Sequence, residues 1–143
     1  MLPTVGTTDD VKAAWLALRE RVEELAGERQ HYLDFFERAS EAYLVTDLIG
    51  TIQDANGAAV DILQRRKRFL RGKPLAVFIA EDQRREFRDR LHALAAPSAG
   101  AETSWRTAVV TSEARIPILV AARPSGRMRG GAGGICWLLR PAT

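Results

Sequence analysis

Apolar residues in the N-terminal region recur at alternating spacings of four and three positions. This is the heptad rhythm of an α-helix that carries one apolar stripe. The helix is predicted to span residues 9–39, because Thr8 or Asp9 can cap its start and no proline interrupts it. The stripe consists of Val11, Trp15, Leu18, Val22, Leu25, Arg29, Tyr32, Phe36 and Ala39.

A continuous helix of this length would extend about 45 Å, which is longer than a domain of about a hundred residues is wide. Its apolar stripe therefore needs another partner, and we expect a homodimer through a parallel or antiparallel coiled coil. The alternative is a helix that breaks near Gly27 and folds back on the domain, since an interior glycine costs about 1 kcal/mol relative to alanine. The predicted dimer interface comprises Val11, Trp15, Leu18, Val22, Leu25, Tyr32 and Phe36.

Two short strands joined by a tight turn are predicted after the helix, at residues 42–47 and 50–55. Asp47 can accept hydrogen bonds from backbone amides of the turn, and Gly50 can adopt a left-handed conformation there. Asn56 precedes the helical pattern AAVDIL and can act as its N-cap. Structural turn and cap roles are therefore preferred for these three positions.

Short helices and then three strands are predicted in the rest of the chain. The strands are expected at 102–112, 115–122 and 134–140. Two strands, several helices and three strands indicate an α+β fold, with a five-stranded antiparallel sheet and helices over one face. The expected divisions are a disordered N-terminus at 1–8, the long helix at 9–39 and the sheet domain at 40–143.

Charge is unevenly distributed along the chain, although the formal net charge is only +3. Residues 9–41 carry nine acids and five bases, whereas residues 42–143 carry nine acids and sixteen bases. The basic face at Arg65–Lys73 supports a second interpretation, a nucleic-acid-binding or adaptor protein. Because no set of stacking aromatic residues and no recognition helix accompany it, a solvated surface or a surface that contacts an acidic partner helix is preferred. Nucleic acid is not expected as a partner.

Several classes of chemistry lack the residues that they need. Cys136 is the single cysteine and cannot form an intramolecular disulfide, and His31 and His92 do not have metal-ligand spacing. Asp47 and Asp54 have no neighbouring nucleophile, so no catalytic residue is assigned. No apolar run in the second half reaches the roughly 20 residues of a membrane span, and the N-terminus is unlike a secretory signal. We expect a cytoplasmic protein without enzymatic activity or bound metal.

The order of elements and its motifs resemble the PAS family over residues 33–140. The pattern D-x-x-G-x-I-x-x-x-N is formed by Asp47, Gly50, Ile52 and Asn56. It is followed by G-K-P-L and by the three predicted strands. The resemblance implies a sensory or protein-interaction module that often dimerises through an N-terminal helix. We expect ligand or partner binding to be transmitted through that helix to a signalling partner or a fused output domain. The chain would then act as a stand-alone regulator or as the input part of a sensor kinase or a transcription regulator.

The cofactors of the family can be compared with the residues at matching positions. In flavin-binding light sensors a reactive cysteine precedes R-F-L-x-G, and here Lys67 stands at that position. In haem-binding oxygen sensors a histidine of the long middle helix binds iron, and here Phe87 stands there while His92 lies five residues later. Haem is therefore not expected. No tight cofactor is expected, and flavin without cysteine chemistry or a small apolar metabolite stays open.

The resemblance also implies an internal cavity between the sheet and the helices. Its predicted wall consists of Val45, Ile52, Val60, Phe78, Phe87, Leu91, Trp105, Thr107, Ile118 and Leu138. These residues would serve equally well as ordinary core. Because only Thr107 and Cys136 are polar candidates for pointing inward, a specific polar ligand is not indicated.

Overall fold

The N-terminal region contains two helices in place of the single long helix that the heptad pattern predicts. The structure, a computed structural model, describes residues 8–24, 29–96, 102–125 and 133–142. Helix α1 spans Thr8–Glu24 and helix α2 spans Arg29–Arg38. Gly27, where the alternative prediction placed a break, lies outside the described residues.

A five-stranded antiparallel sheet forms the centre of the domain, as predicted. The elements that follow α2 are β1 (Ala42–Asp47), β2 (Ile52–Ala55), α3 (Gly57–Leu63), α4 (Lys67–Leu70), two 3-10 turns (Leu75–Phe78 and Glu81–Gln83), α5 (Arg84–Ala95), β3 (Thr103–Val110), β4 (Arg115–Ser125) and β5 (Gly134–Pro141). The strand order in space is β2-β1-β5-β4-β3. The first hairpin and the last three strands therefore meet where β1 pairs with β5.

One face of the sheet packs against α3, α4, α5 and the 3-10 turns. Alternate strand residues point to this face because the side-chain period of a β-strand is two. Trp137 of β5 is fully buried here, and its ring stacks on Phe87 of α5 with 5.4 Å between ring centroids. We name the buried apolar residues between this face and the helices the inner cluster. Its strand members are Ala42, Leu44, Ile52, Ala55, Trp105, Val109, Ile118, Val120, Ala122, Ile135, Trp137 and Leu139.

The opposite face of the sheet packs against α1 and α2. The residues buried here form a second apolar group, which we name the outer cluster. Its buried members are Val11, Trp15, Phe36, Tyr43, Leu119, Ala121 and Leu138. The two N-terminal helices thus cover the face that the helices between β2 and β3 leave open.

This packing changes the interpretation of the heptad stripe. Val11, Trp15 and Phe36 are buried against the chain's own sheet, and none is more than 6% exposed. In this arrangement they cannot serve as the predicted dimer interface. Two shorter helices fit along the sheet, whereas one helix of about 45 Å would not. Leu18 is half-buried beside them. The side chains of Val22 and Tyr32, and all of Leu25, lie outside the described part of the chain.

Asn56 joins the first hairpin to α3. Its side-chain Oδ1 accepts hydrogen bonds from the backbone N–H groups of Ala59 and Tyr43, each at 3.0 Å. Its Nδ2 donates to the carbonyl of Glu41 at 2.8 Å. The first of these bonds is the N-cap of α3, and the other two fix the start of β1.

The β1–β2 turn depends on one carboxylate and one glycine. Asp47 Oδ1 accepts hydrogen bonds from the N–H groups of Ile49 at 3.1 Å and Thr51 at 2.8 Å. Gly50 has φ of +88°, and a Cβ atom there would lie 3.0 Å from Leu91 Cδ2. A larger residue at position 50 would therefore be strained in its backbone and would crowd α5.

We predict that Asn56→Ala lowers the free energy of unfolding by about 2–4 kcal/mol, because it removes a helix cap and leaves the buried N–H of Tyr43 unpaired. Urea denaturation followed by circular dichroism measures the change. Gln53→Ala, at an exposed position of β2, is the matched control and should change the value by less than about 0.5 kcal/mol. Equal effects of the two substitutions would contradict the assigned role of Asn56.

Candidate functional site

The interior that the sequence suggested as a ligand cavity is occupied by aromatic rings. Trp105 lies 6.4 Å from Phe87 and 6.1 Å from Trp137, measured between ring centroids. The other predicted wall residues that belong to or pack against the inner cluster are Ile52, Val60, Phe78, Leu91 and Ile118. Thr107 is also buried, two residues from Trp105 along β3.

Val45 and Leu138 do not line this interior. Both pack with the outer cluster, since each is the sequence neighbour of a strand residue that points inward. Cys136 also packs with the outer cluster, so it is not a polar group of the interior. Burial raises the pKa of its thiol, which therefore has little thiolate character.

Three polar side-chain groups of the inner face differ in their hydrogen bonding. Trp137 Nε1 donates to Thr46 Oγ1 at 2.9 Å, and both residues are fully buried. Trp105 Nε1 and Thr107 Oγ1 are buried and have no hydrogen-bond partner within the described residues. The inner face of β3 therefore holds a polar pair that a small polar molecule could satisfy.

The described residues also form a cleft on the other side of the sheet, between the N-terminal helices, the start of β1 and the end of β5. Its volume is about 410 Å³, within the range of small-molecule sites. Its lining residues are Asp10, Ala13, Ala14, Ala17, Leu18, Phe35, Ala39, Ser40, Glu41, Tyr43 and Arg140. We name it the helix–sheet cleft.

An ion pair borders the helix–sheet cleft. Arg140 binds Glu41 through two hydrogen bonds, from Nε at 3.1 Å and from Nη2 at 3.0 Å. Its Nη2 also approaches the backbone carbonyl of Asp10 at 3.5 Å. The Arg140 side chain is 17% exposed, so this fork of donors is largely withdrawn from solvent.

Tyr43 links the same cleft to α1. Its hydroxyl donates to the carbonyl of Ala14 at 3.3 Å, and its ring lies 5.9 Å from that of Trp15. Burial raises the pKa of Tyr43 to about 12, and the nearby carboxylate of Glu41 contributes to the rise. The phenol is therefore neutral at physiological pH and acts as a hydrogen-bond donor.

Part of the basic segment is paired within the chain. Lys67 Nζ lies 2.6 Å from Glu37 Oε2 of α2 and 3.4 Å from Asp54 Oδ1. Arg71 also reaches Asp54, at 3.3 Å. These partly exposed ion pairs reduce the charge that the segment presents to a nucleic acid.

The described residues can also be compared with the requirements of a metal site and of a membrane span. They contain no group of three or more His, Cys, Asp or Glu side chains arranged to hold a metal ion. His92 is exposed on α5, away from the buried Phe87. None of the described helices is both long and apolar enough to cross a bilayer.

The cleft residues were not predicted, although the sequence holds one signal for them. Ala13, Ala14 and Ala17 are small residues on one helix, which leave space where a helix meets a sheet. Glu41 and Arg140 are 99 positions apart, and only the pairing of β1 with β5 brings them together.

Comparison with protein-family models matches residues 30–142 to the family described as the PAS fold. The chain belongs to the PAS family. A comparison with curated proteins finds no match.

Solved structures with the same fold share little sequence with this PAS domain. The PAS domain of an HTR-like protein from Haloarcula marismortui has a TM-score of 0.68 at 14% identity, covering 86% of this chain and 98% of its own. A domain of a sensory box sensor histidine kinase/response regulator from Geobacter sulfurreducens gives 0.64 at 16%, covering 83% and 98%. A PAS domain from Colwellia psychrerythraea gives 0.66 at 18%, covering 80% and 96%. At these identities the likeness establishes the fold.

We predict that stability falls with rising pH above about 10 because the pKa of Tyr43 is about 12 in the folded chain and about 10 in the unfolded chain. The contribution is present in full below pH 10 and is lost as the pH rises toward 12, since the unfolded state ionises first. Urea denaturation at several pH values should show a loss about 1–2 kcal/mol larger for the wild type than for Tyr43→Phe between about pH 9 and 11.5. Parallel curves for the two proteins would contradict the assignment.

Proposed function

We propose that this PAS domain is a non-catalytic signal-input module, which acts by binding and passes the result to a signalling partner or fused output domain through α1 and α2. The observation that supports this proposal is the contact of both helices with the outer cluster, on the reverse of the strands that form the interior. A change on either face can move the same strands. The similar domain from Geobacter sulfurreducens is part of a sensor histidine kinase/response regulator, which agrees with such a role.

β5 is the strand best placed to carry the coupling. Trp137 points to the inner cluster, while its neighbours Cys136 and Leu138 pack with the outer cluster. A rotation of this strand that accommodates a change around Trp137 therefore shifts the surface on which α1 and α2 lie. Packed interfaces of this kind respond in discrete steps, because dense interiors deform little.

We further propose that the interior works without a tightly held flavin or haem. The rings of Phe87, Trp105 and Trp137 contact one another beneath the sheet and occupy part of the interior. The unpaired polar groups of Trp105 and Thr107 would recognise a small molecule at most. Sensing by binding, without redox or photochemistry, is the function that these residues favour.

Self-association is proposed along the solvent face of α1, in place of the buried stripe. Leu16 is 55% exposed there. Ala13, which lies about one turn before it, and Ala17, which follows it, are also exposed. These three residues form a short apolar strip whose burial would favour a helix-to-helix contact. A homodimer formed in this way keeps both copies of α1 on their own sheets.

We predict that Phe36→Leu and Phe87→Leu destabilise the chain non-additively, although their side chains lie on opposite faces of the sheet. A double-mutant cycle from urea denaturation should give a coupling energy of about 0.5 kcal/mol or more. Phe36→Leu combined with Val110→Ala, at the end of edge strand β3, is the control and should be additive. Additivity of the Phe36 and Phe87 changes would contradict transmission through the sheet.

We predict that the wild-type chain is dimeric at tens of micromolar and that Leu16→Asp makes it monomeric, because a charge on the strip would be buried in the contact. Light scattering after size-exclusion chromatography measures the mass. Val77→Asp, at an exposed apolar position of similar accessibility outside α1, should leave the dimer intact. A wild-type monomer, or a dimer that persists in Leu16→Asp, would refute this interface.

A further inference from the structure

The helix–sheet cleft has the size and composition of a small-molecule site. Its volume of about 410 Å³ is bounded by aliphatic and aromatic side chains from α1, α2 and β1. Ala13, Ala14 and Ala17 provide the space, and Phe35 and Tyr43 provide flat apolar surfaces.

One polar group of the cleft retains hydrogen-bonding capacity. Arg140 uses Nε and Nη2 for Glu41 and for the carbonyl of Asp10. Neither Glu41 nor the carbonyl of Asp10 uses its Nη1, which stays available to another acceptor. An arginine nitrogen carries donors and no acceptor, so it selects a ligand atom with a lone pair, such as an oxygen.

The charges around the cleft determine which kind of oxygen is suitable. Its lining includes the acids Asp10 and Glu41 and the single base Arg140, which is already paired with Glu41. An anionic ligand would meet a guanidinium that Glu41 already neutralises, so the cost of burying its charge disfavours it. A neutral carbonyl oxygen can accept from Nη1 without adding charge.

We infer that the helix–sheet cleft is a binding site for a neutral, mainly apolar small molecule that carries a carbonyl-type oxygen. The apolar body lies against Phe35 and the alanines of α1, and the oxygen accepts a hydrogen bond from Arg140 Nη1. Such a ligand lies between the N-terminal helices and the sheet. The effect of such a ligand on signalling rests on the proposed function, because the ligand would act at the contact through which signals pass. The binding of the ligand does not rest on that function.

The test is a titration of the uniformly ¹⁵N-labelled full chain with acetophenone, a neutral aryl ketone, and with benzoate, its anionic counterpart of similar shape. Acetophenone is expected to shift the amide resonances of Ala13, Ala17 and Ser40 in a saturable manner. Benzoate should bind at least about tenfold more weakly, which corresponds to about 1.4 kcal/mol. No saturable shift with acetophenone, shifts confined to the surroundings of Trp105, or equal affinity for benzoate would overturn the inference.

Three variants locate the site. Ser40→Phe places a ring at the exposed rim of the cleft and should weaken acetophenone binding at least about fivefold, whereas Ser112→Phe, in the exposed β3–β4 turn, should not. Arg140→Lys retains a cation for Glu41 but loses the Nη1 donors, and it should weaken acetophenone binding severalfold with little effect on benzoate. Undiminished acetophenone binding in Ser40→Phe would overturn the site.

The oligomeric state, measured in the same samples by light scattering, separates the two proposals. Saturable binding at the cleft without any change in self-association supports the ligand site and counts against signalling through α1. Absence of binding in the Leu16→Asp monomer, in which no second copy covers Ala13 and Ala17, overturns the ligand site and leaves the proposed function intact.

Discussion

The apolar character of both faces of the central strands is the constraint on which the rest of the structure depends. In β5, Trp137 and Leu139 belong to the inner cluster, while Leu138 belongs to the outer cluster, and β4 alternates in the same way. A sheet of this kind needs a cover on each side, because about 25 cal/mol is lost for each square ångström of apolar surface left in water. Helices α3 to α5 cover one side, and α1 and α2 cover the other.

Ion pairs also help to hold the N-terminal region on the sheet domain. The acidic N-terminal region contacts two bases of the sheet domain near its C-terminal end, through Glu37 with Lys67 and through Glu41 with Arg140. The two contacts differ in environment, since Arg140 is largely buried whereas Lys67 and Glu37 are substantially exposed. The Arg140 pair therefore gives more orientation than the Lys67 pair, which solvent weakens. The same pair borders the helix–sheet cleft, where apolar walls meet a largely buried donor.

Local chemistry explains which features could be predicted from the sequence. Asn56 and Asp47 act on backbone groups within a few residues, so their cap and turn roles follow from short patterns. The strands could be predicted from the alternation of apolar and polar residues, and the fold from the order of the elements. The break between α1 and α2 and the inward or outward direction of Val45 and Leu138 depend on contacts between distant segments. A strand that is apolar on both faces carries no local signal of which face is inner, and the heptad stripe is equally compatible with another helix or with a sheet.

Attachment of α1 to the sheet through the outer cluster underlies both the proposed signalling route and the helix–sheet cleft. Native-state hydrogen exchange on the full chain, followed by NMR, measures this attachment residue by residue. We predict that the amides of Trp15, Leu16 and Leu18 are protected by at least about a hundredfold relative to an unstructured chain, an opening free energy of about 2.7 kcal/mol. Exchange of these amides at unstructured rates, while those of Trp137 and Leu138 stay protected, would contradict the attachment.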